Sequence, residues 1–119
     1  MFLHHVQVSG PAGCEDAMRD FYVGVLGMTE VAKPERLRAR GGAWFRAGAA
    51  AEIHVGIEDG FVPARKAHPG VAVADVEELA RVVEAAGAPV AWDDNIAGLR
   101  RFHTVDPVGN RLEFQQAQR

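Results

Sequence analysis

The chain has 119 residues and a formal net charge of −3, and this length suits one compact domain. Hydrophobic residues make up 48% and charged residues 24%, which is typical of a globular protein and excludes a disordered one. The weakly acidic balance argues against nucleic-acid binding. No apolar run reaches the ~18 residues of a membrane span. The single cysteine, Cys14, excludes an intrachain disulfide, and the lack of a recognisable secretory signal predicts a cytoplasmic protein.

The first half of the chain predicts a strand, a helix and three further strands. Polar and apolar residues alternate over residues 3–9, which indicates a strand. Residues 14–26 carry apolar side chains at helical spacing, and Gly27 is a natural helix stop. Short strands are predicted at residues 29–33, 43–46 and 51–57.

The second half predicts the same order of elements. A strand at residues 70–74 precedes Asp75, which forms a capping-box pattern with Glu78 three residues later. The helix that follows ends at Gly87. Three strands are predicted at residues 89–92, 99–105 and 111–116, with a Pro-, Gly- and Asn-containing turn at 106–110 between the last two.

The two halves therefore look like an internal duplication, with the helix stops roughly 60 residues apart. We predict an α+β fold made of two βαβββ units, about residues 1–58 and 67–119. In this prediction the two mixed sheets curl together around a cleft, and the helices lie on the outside.

Imidazole and carboxylate side chains recur at the first and last strands of the two units. His5 and His54 occupy these places in the first unit, and His68 and Glu113 occupy them in the second. Two related units would bring all four towards one cleft. Their chemistry suits a divalent ion such as Fe, Mn, Ni, Co or Zn.

Several segments carry a family resemblance over nearly the whole chain. They are Leu-His-His-Val-Gln-Val at residues 3–8, Phe-Tyr-Val-Gly-Val-Leu-Gly-Met at 21–28, His68 at the start of the second unit, and Asp-Pro-Val-Gly-Asn-Arg-Leu-Glu-Phe at 106–114. In these segments the chain resembles the vicinal-oxygen-chelate superfamily. That superfamily contains glyoxalase I, bleomycin-resistance proteins and extradiol dioxygenases.

The resemblance implies a set of metal ligands. The usual metal positions of the superfamily match His5, His68 and Glu113. Its fourth position is often Glu or Gln and serves as ligand or base; here it matches His54. This departure argues against a plain glyoxalase I, and Glu52 on the same strand face could compete with His54 for the role.

The resemblance leads to three alternative functions for the chain. The first is a glyoxalase-type lyase or isomerase that acts on a small oxygenated substrate chelated to the ion. In this enzyme His54 or Glu113 moves the proton. Arg101 and His103 are candidates for substrate contact, since guanidinium binds carboxylate; the alternatives are a solvated strand edge for Arg101 and a surface or interface position for His103. The second is an Fe(II) extradiol-type dioxygenase that uses His5, His68 and Glu113. The third is a protein that binds a drug without catalysis.

The resemblance also predicts a homodimer with two shared sites. In short members of the superfamily one chain would supply His5 and His54, while its partner supplies His68 and Glu113. The alternative is a monomer in which both units of one chain complete a single site. The connectors at residues 58–66 and 93–101 are expected to shape the substrate pocket.

Overall fold

The computed structural model describes residues 1–49 and 51–118, which form two compact units, Met1–Pro63 and Ala64–Arg119. Each unit contains a four-stranded mixed sheet and few helices. The fold is therefore α+β, with the predicted βαβββ order in each unit. No helix in the described part of the chain is long and apolar enough to cross a membrane.

The first unit begins with a strand and a helix whose second half widens. Its elements are β1 (His5–Gly10), α1 (Glu15–Arg19), β2 (Thr29–Val31), α2 (Glu35–Arg38), β3 (Ala43–Ala47) and β4 (Ala51–Ile57). The chain continues from α1 as a π-helix over Asp20–Val25. The predicted single helix over residues 14–26 is thus an α-helical turn followed by a π-helical one. The short helix α2 was not predicted from the sequence.

The first sheet has the order β1-β4-β3-β2, in which β1 and β4 are parallel and the other pairs are antiparallel. Tyr22 and Phe45 are fully buried in its core, and their rings stack with centroids 5.1 Å apart. Gly42 lies where β3 begins, with a φ of +85°, and a Cβ atom there would overlap the Val55 carbonyl oxygen. Only glycine allows β3 to approach β4 this closely.

The second unit contains β5 (Gly70–Val73), α3 (Val76–Ala85), β6 (Ala91–Asp93), β7 (Arg101–Val105) and β8 (Arg111–Gln116). Its sheet has the order β5-β8-β7-β6, and again only the outer pair β5 and β8 is parallel. The Asp75 side chain accepts a hydrogen bond of 3.0 Å from the Glu78 amide and caps α3, which is one of the two hydrogen bonds of the predicted capping box. Oε2 of Glu78 pairs with Arg81.

The strand register of the second unit divides its residues between two faces of the sheet. Phe102, Leu112 and Phe114 are fully buried, and so is one face of α3, formed by the buried residues Val76, Ala80 and Val83. Because side chains alternate along a strand, the residues between them lie on the opposite face. There His103 pairs directly with Glu113 on one side and with Ala91 on the other. This polar face carries the candidate site.

Candidate metal centre

Two histidines and a glutamate meet on the polar face of the second unit. One ligand atom each from His68, His103 and Glu113 lies within 4.8 Å of the other two. Nε2 of His68 is 3.0 Å from Oε1 of Glu113, and Nε2 of His103 is 3.2 Å from the same oxygen. The cluster joins the residue that leads into β5 to the two central strands of the sheet.

A backbone carbonyl orients His68. Its Nδ1 lies 2.6 Å from the carbonyl oxygen of Lys66, and because a carbonyl can only accept, Nδ1 carries the proton. Nε2 is then the nitrogen directed at Glu113. This arrangement, in which the far nitrogen of an imidazole is held by an acceptor, is typical of histidines that ligate metals.

Arg101 lies between two acidic residues of this face, Asp93 and Glu113. Nη1 of Arg101 donates to Oε1 of Glu113 at 3.2 Å, and its Nη2 is 3.1 Å from Oδ2 of Asp93. The same Asp93 oxygen lies 3.8 Å from Nδ1 of His103. A hydrogen bond from the Asn95 amide, followed by the charge of Arg101, lowers the pKa of Asp93. Asp93 therefore provides a fixed negative charge behind both Arg101 and His103.

Glu113 is kept ionised by its neighbours. Only 8% of the residue is exposed, and burial by itself raises the pKa of its carboxyl group. The contact with His68 and the hydrogen bond from Arg101, with the nearby charges, more than offset this and hold the pKa below its usual value. A deprotonated carboxylate beside two imidazoles is the form in which these groups bind a cation.

The donor set fits a divalent transition metal. Neighbouring ligands around one ion stand about 3.0 Å apart when each bond is about 2.1 Å long in an octahedral site. The contacts of Glu113 with His68 and His103, 3.0 and 3.2 Å, match that spacing. Two imidazole nitrogens and one carboxylate oxygen also leave further coordination positions for substrate oxygens.

The histidines of the first unit form a different structure, a stack of three rings. The His54 ring lies between Trp44, at a centroid distance of 4.0 Å, and His5, at 4.1 Å, with interplanar angles of 6° and 10°. Nε2 of His54 is 2.9 Å from Oε1 of Glu52, whose other oxygen faces Arg46 at 3.2 Å. His54 and Glu52, the two alternatives of the sequence analysis, are thus hydrogen-bonded partners.

The stack has consequences for the chemistry of His54. Burial is the main reason that the pKa of His54 is lowered, and the hydrogen bond from His54 is the main reason that the pKa of Glu52 is lowered. An imidazole binds a metal through a lone pair in its ring plane, so the parallel rings of His5 and His54 do not converge on one point in this conformation. His4 precedes β1, and its Nδ1 lies 3.0 Å from Nδ1 of His5.

Comparison with known proteins identifies the family. A family model described as the Glyoxalase/Bleomycin resistance protein/Dioxygenase superfamily matches residues 4–114. The chain belongs to this superfamily. The search of curated proteins finds no match.

Solved structures agree with this assignment. A protein assigned to the glyoxalase family, from Bacillus anthracis, is 42% identical, with a TM-score of 0.94, over 99% of this chain and 96% of its own. The chain shares its fold with a lactoylglutathione lyase from Agrobacterium tumefaciens, at 20% identity and a TM-score of 0.73 over 98% and 93% of the chains. It also shares its fold with an antibiotic binding protein from Streptomyces sp. CB03234, at 20% identity and a TM-score of 0.75 over 99% and 97%.

The superfamily resemblance suggested four ligands, and the structure groups them in pairs. It brings His68 together with Glu113 in the second unit, and His5 together with His54 in the first. His103, predicted to contact substrate, lies inside the ligand cluster instead of beside it. The sequence contained the information needed to place His103 in the cluster. A turn over residues 106–110 pairs Val105 with Arg111 across the hairpin, and this register places His103 opposite Glu113.

Proposed function

We propose that this chain is a metal-dependent, glyoxalase-type enzyme acting on a small substrate with two neighbouring oxygen atoms. The observation that carries the proposal is the convergence of His68, His103 and Glu113 within 4.8 Å on the polar face of the second sheet. Membership of a superfamily that includes glyoxalases supports it. The spacing of these atoms and the lowered pKa of Glu113 support a cation site.

His68, His103 and Glu113 would hold the metal ion, which would supply Lewis-acid stabilisation for negative charge on the substrate oxygens. The Lys66 carbonyl keeps His68 in the tautomer that presents Nε2. Asp93 offsets the charge of Arg101 and faces Nδ1 of His103.

The proton transfer has two candidate groups in this proposal. His54 has a lowered pKa and is hydrogen-bonded to Glu52. A neutral imidazole backed by a carboxylate is a suitable general base at neutral pH. Glu113 is the other candidate, because its carboxylate touches both imidazoles of the cluster.

A second candidate function follows from the same donor set. Two histidines and one carboxylate with open positions are the typical Fe(II) site of oxygenases that contain no haem. Uptake of O₂ with a catechol by the Fe(II)-loaded protein would support this dioxygenase activity. Isomerisation or cleavage of a small 2-oxo compound under argon would support the glyoxalase type.

Metal analysis of protein purified without a histidine tag tests both enzymes. We expect about one divalent ion per chain, either as purified or after loading with Fe(II), Mn, Co, Ni or Zn. His103→Ala should lower that occupancy, whereas His4→Ala, which removes a histidine outside the cluster, should not. If no divalent ion is bound or can be restored, both enzymatic functions are wrong and a non-catalytic small-molecule-binding protein is favoured.

A further inference from the structure

A cavity of about 380 Å³ opens beside the cluster on the same unit. His103 lines this cavity and also belongs to the metal cluster. Such a volume is in the range of small-molecule sites. The cavity and the cluster are therefore two parts of one surface, joined at His103.

The strand register shows how the cavity lies relative to the cluster. Val105 pairs with Arg111, two residues along each strand from the pair of His103 and Glu113. Residues two apart on a strand point to the same face and are separated by about 7 Å. Arg111 therefore lies on the face of Glu113, about 7 Å further along β8.

The lining of the cavity combines an apolar wall with two guanidinium groups. Ala64, Pro89, Ala91 and Val105 form the apolar part, and Arg65 and Arg111 supply positive charge. Within the described residues neither of these arginines forms an ion pair, whereas Arg101 is held between two acids. Two unneutralised guanidiniums at one concave, partly apolar surface suit a small organic anion, because guanidinium binds carboxylate through paired hydrogen bonds.

We propose that Arg65 and Arg111 form a carboxylate subsite next to the metal cluster. The substrate would carry neighbouring oxygens at one end and a carboxylate at the other, with a short hydrocarbon chain against the apolar wall. This proposal rests on the proposed function for the oxygen-bearing end only. The carboxylate end depends on the two arginines alone.

Two matched probes test the subsite in the cobalt-loaded protein. 2-Oxoglutarate and 2-oxopentanoate share the same chelating end, but only 2-oxoglutarate has the distal carboxylate. Calorimetry should show 2-oxoglutarate binding at least about tenfold more tightly, as expected for a charge-assisted hydrogen bond. Arg65→Gln and Arg111→Gln should each reduce this preference, and the double variant should abolish it, with the Co²⁺ affinity unchanged.

Arg81→Gln is the control, because it removes the same charge from helix α3, where Arg81 pairs with Glu78. It should keep the full preference for 2-oxoglutarate. If the parent binds both probes equally, or if all three single variants change the preference alike, the proposed subsite is wrong.

A metal-free arm separates the subsite from the metal centre. The Nε–Hε signals of Arg65 and Arg111 should shift on titration with pentanoate and not with pentanol. If Co²⁺ does not bind but pentanoate shifts these signals, the proposed function fails and the subsite stands. If pentanoate moves neither signal, the subsite is wrong whatever the metal does.

Discussion

Replacing Glu113 by glutamine should weaken the metal centre severely. Glutamine has nearly the same shape, so the change removes mainly the charge. The carboxylate is the only anionic group among the three converging donors, and its Oε1 lies 3.0 Å from His68 Nε2 and 3.2 Å from His103 Nε2. A neutral amide oxygen is a much poorer ligand for such an ion.

The magnitude follows from the charges around the cluster. Glu113, Asp93 and Arg101 together carry one net negative charge, and Glu113→Gln reduces this to zero while Arg101 stays beside the ion. Losing only a group that orients a ligand typically costs 10- to 100-fold in metal affinity. Losing the ligand itself should therefore cost at least about 100-fold, which corresponds to about 2.7 kcal/mol.

The assay is competition for Co²⁺ against a chromophoric chelator, with parent and variant at equal concentration. Glu84→Gln is the matched control, because it makes the same substitution on an exposed position of α3. A melting curve of each metal-free protein verifies that it is folded. If Glu113→Gln and the parent bind Co²⁺ equally, the assignment of Glu113 as a ligand is wrong.

Three further predictions concern the same residues. His103→Ala also removes a proposed ligand and should lower Co²⁺ affinity by at least about 100-fold, measured by the same competition, and an unchanged affinity would leave His103 outside the ligand set. The pKa of Glu113 is lower in the folded chain than its usual value of about 4.3. The ionised carboxylate therefore stabilises the folded chain fully above pH about 4.3, and this stabilisation is lost as the pH falls through the folded pKa, because the unfolded chain takes up the proton first. Melting temperatures of the metal-free parent between pH 6 and 3 should thus fall more steeply than those of Glu113→Gln, and parallel curves would contradict this. If a homodimer shares its sites, mixing His5→Ala with Glu113→Ala under subunit exchange should restore metal binding at one of two sites per heterodimer, whereas no recovery after verified exchange would place the ligands in one chain.

Patterns local in the sequence were sufficient for most of the fold. The strands predicted at residues 51–57 and 111–116 are β4 and β8, with the bounds that the structure has. The Asp75 cap and the glycine stop at 87 delimited α3, because these signals act over one helical turn. The duplication of one unit then led from elements to a βαβββ architecture.

Other features were decided by tertiary structure, because they depend on which residues meet across strands. The split of the first helix into α- and π-helical turns and the short helix α2 have no strong local signal. The ring stack of Trp44, His54 and His5 forms because β4 lies between β3 and β1, which pairs His54 with Trp44 on one side and with Gln7 on the other.

The candidate metal centre, too, was predicted partly from the sequence and decided partly by the tertiary structure. The sequence and its family resemblance were enough to select His68 and Glu113 as a pair. The place of His103 in the cluster, and of Arg101 between two acids, depends on the antiparallel pairing of β7 with β6 and β8. Imidazole and carboxylate groups act together only when their atoms lie a few ångströms apart, and that distance is set by strand register rather than by separation along the chain.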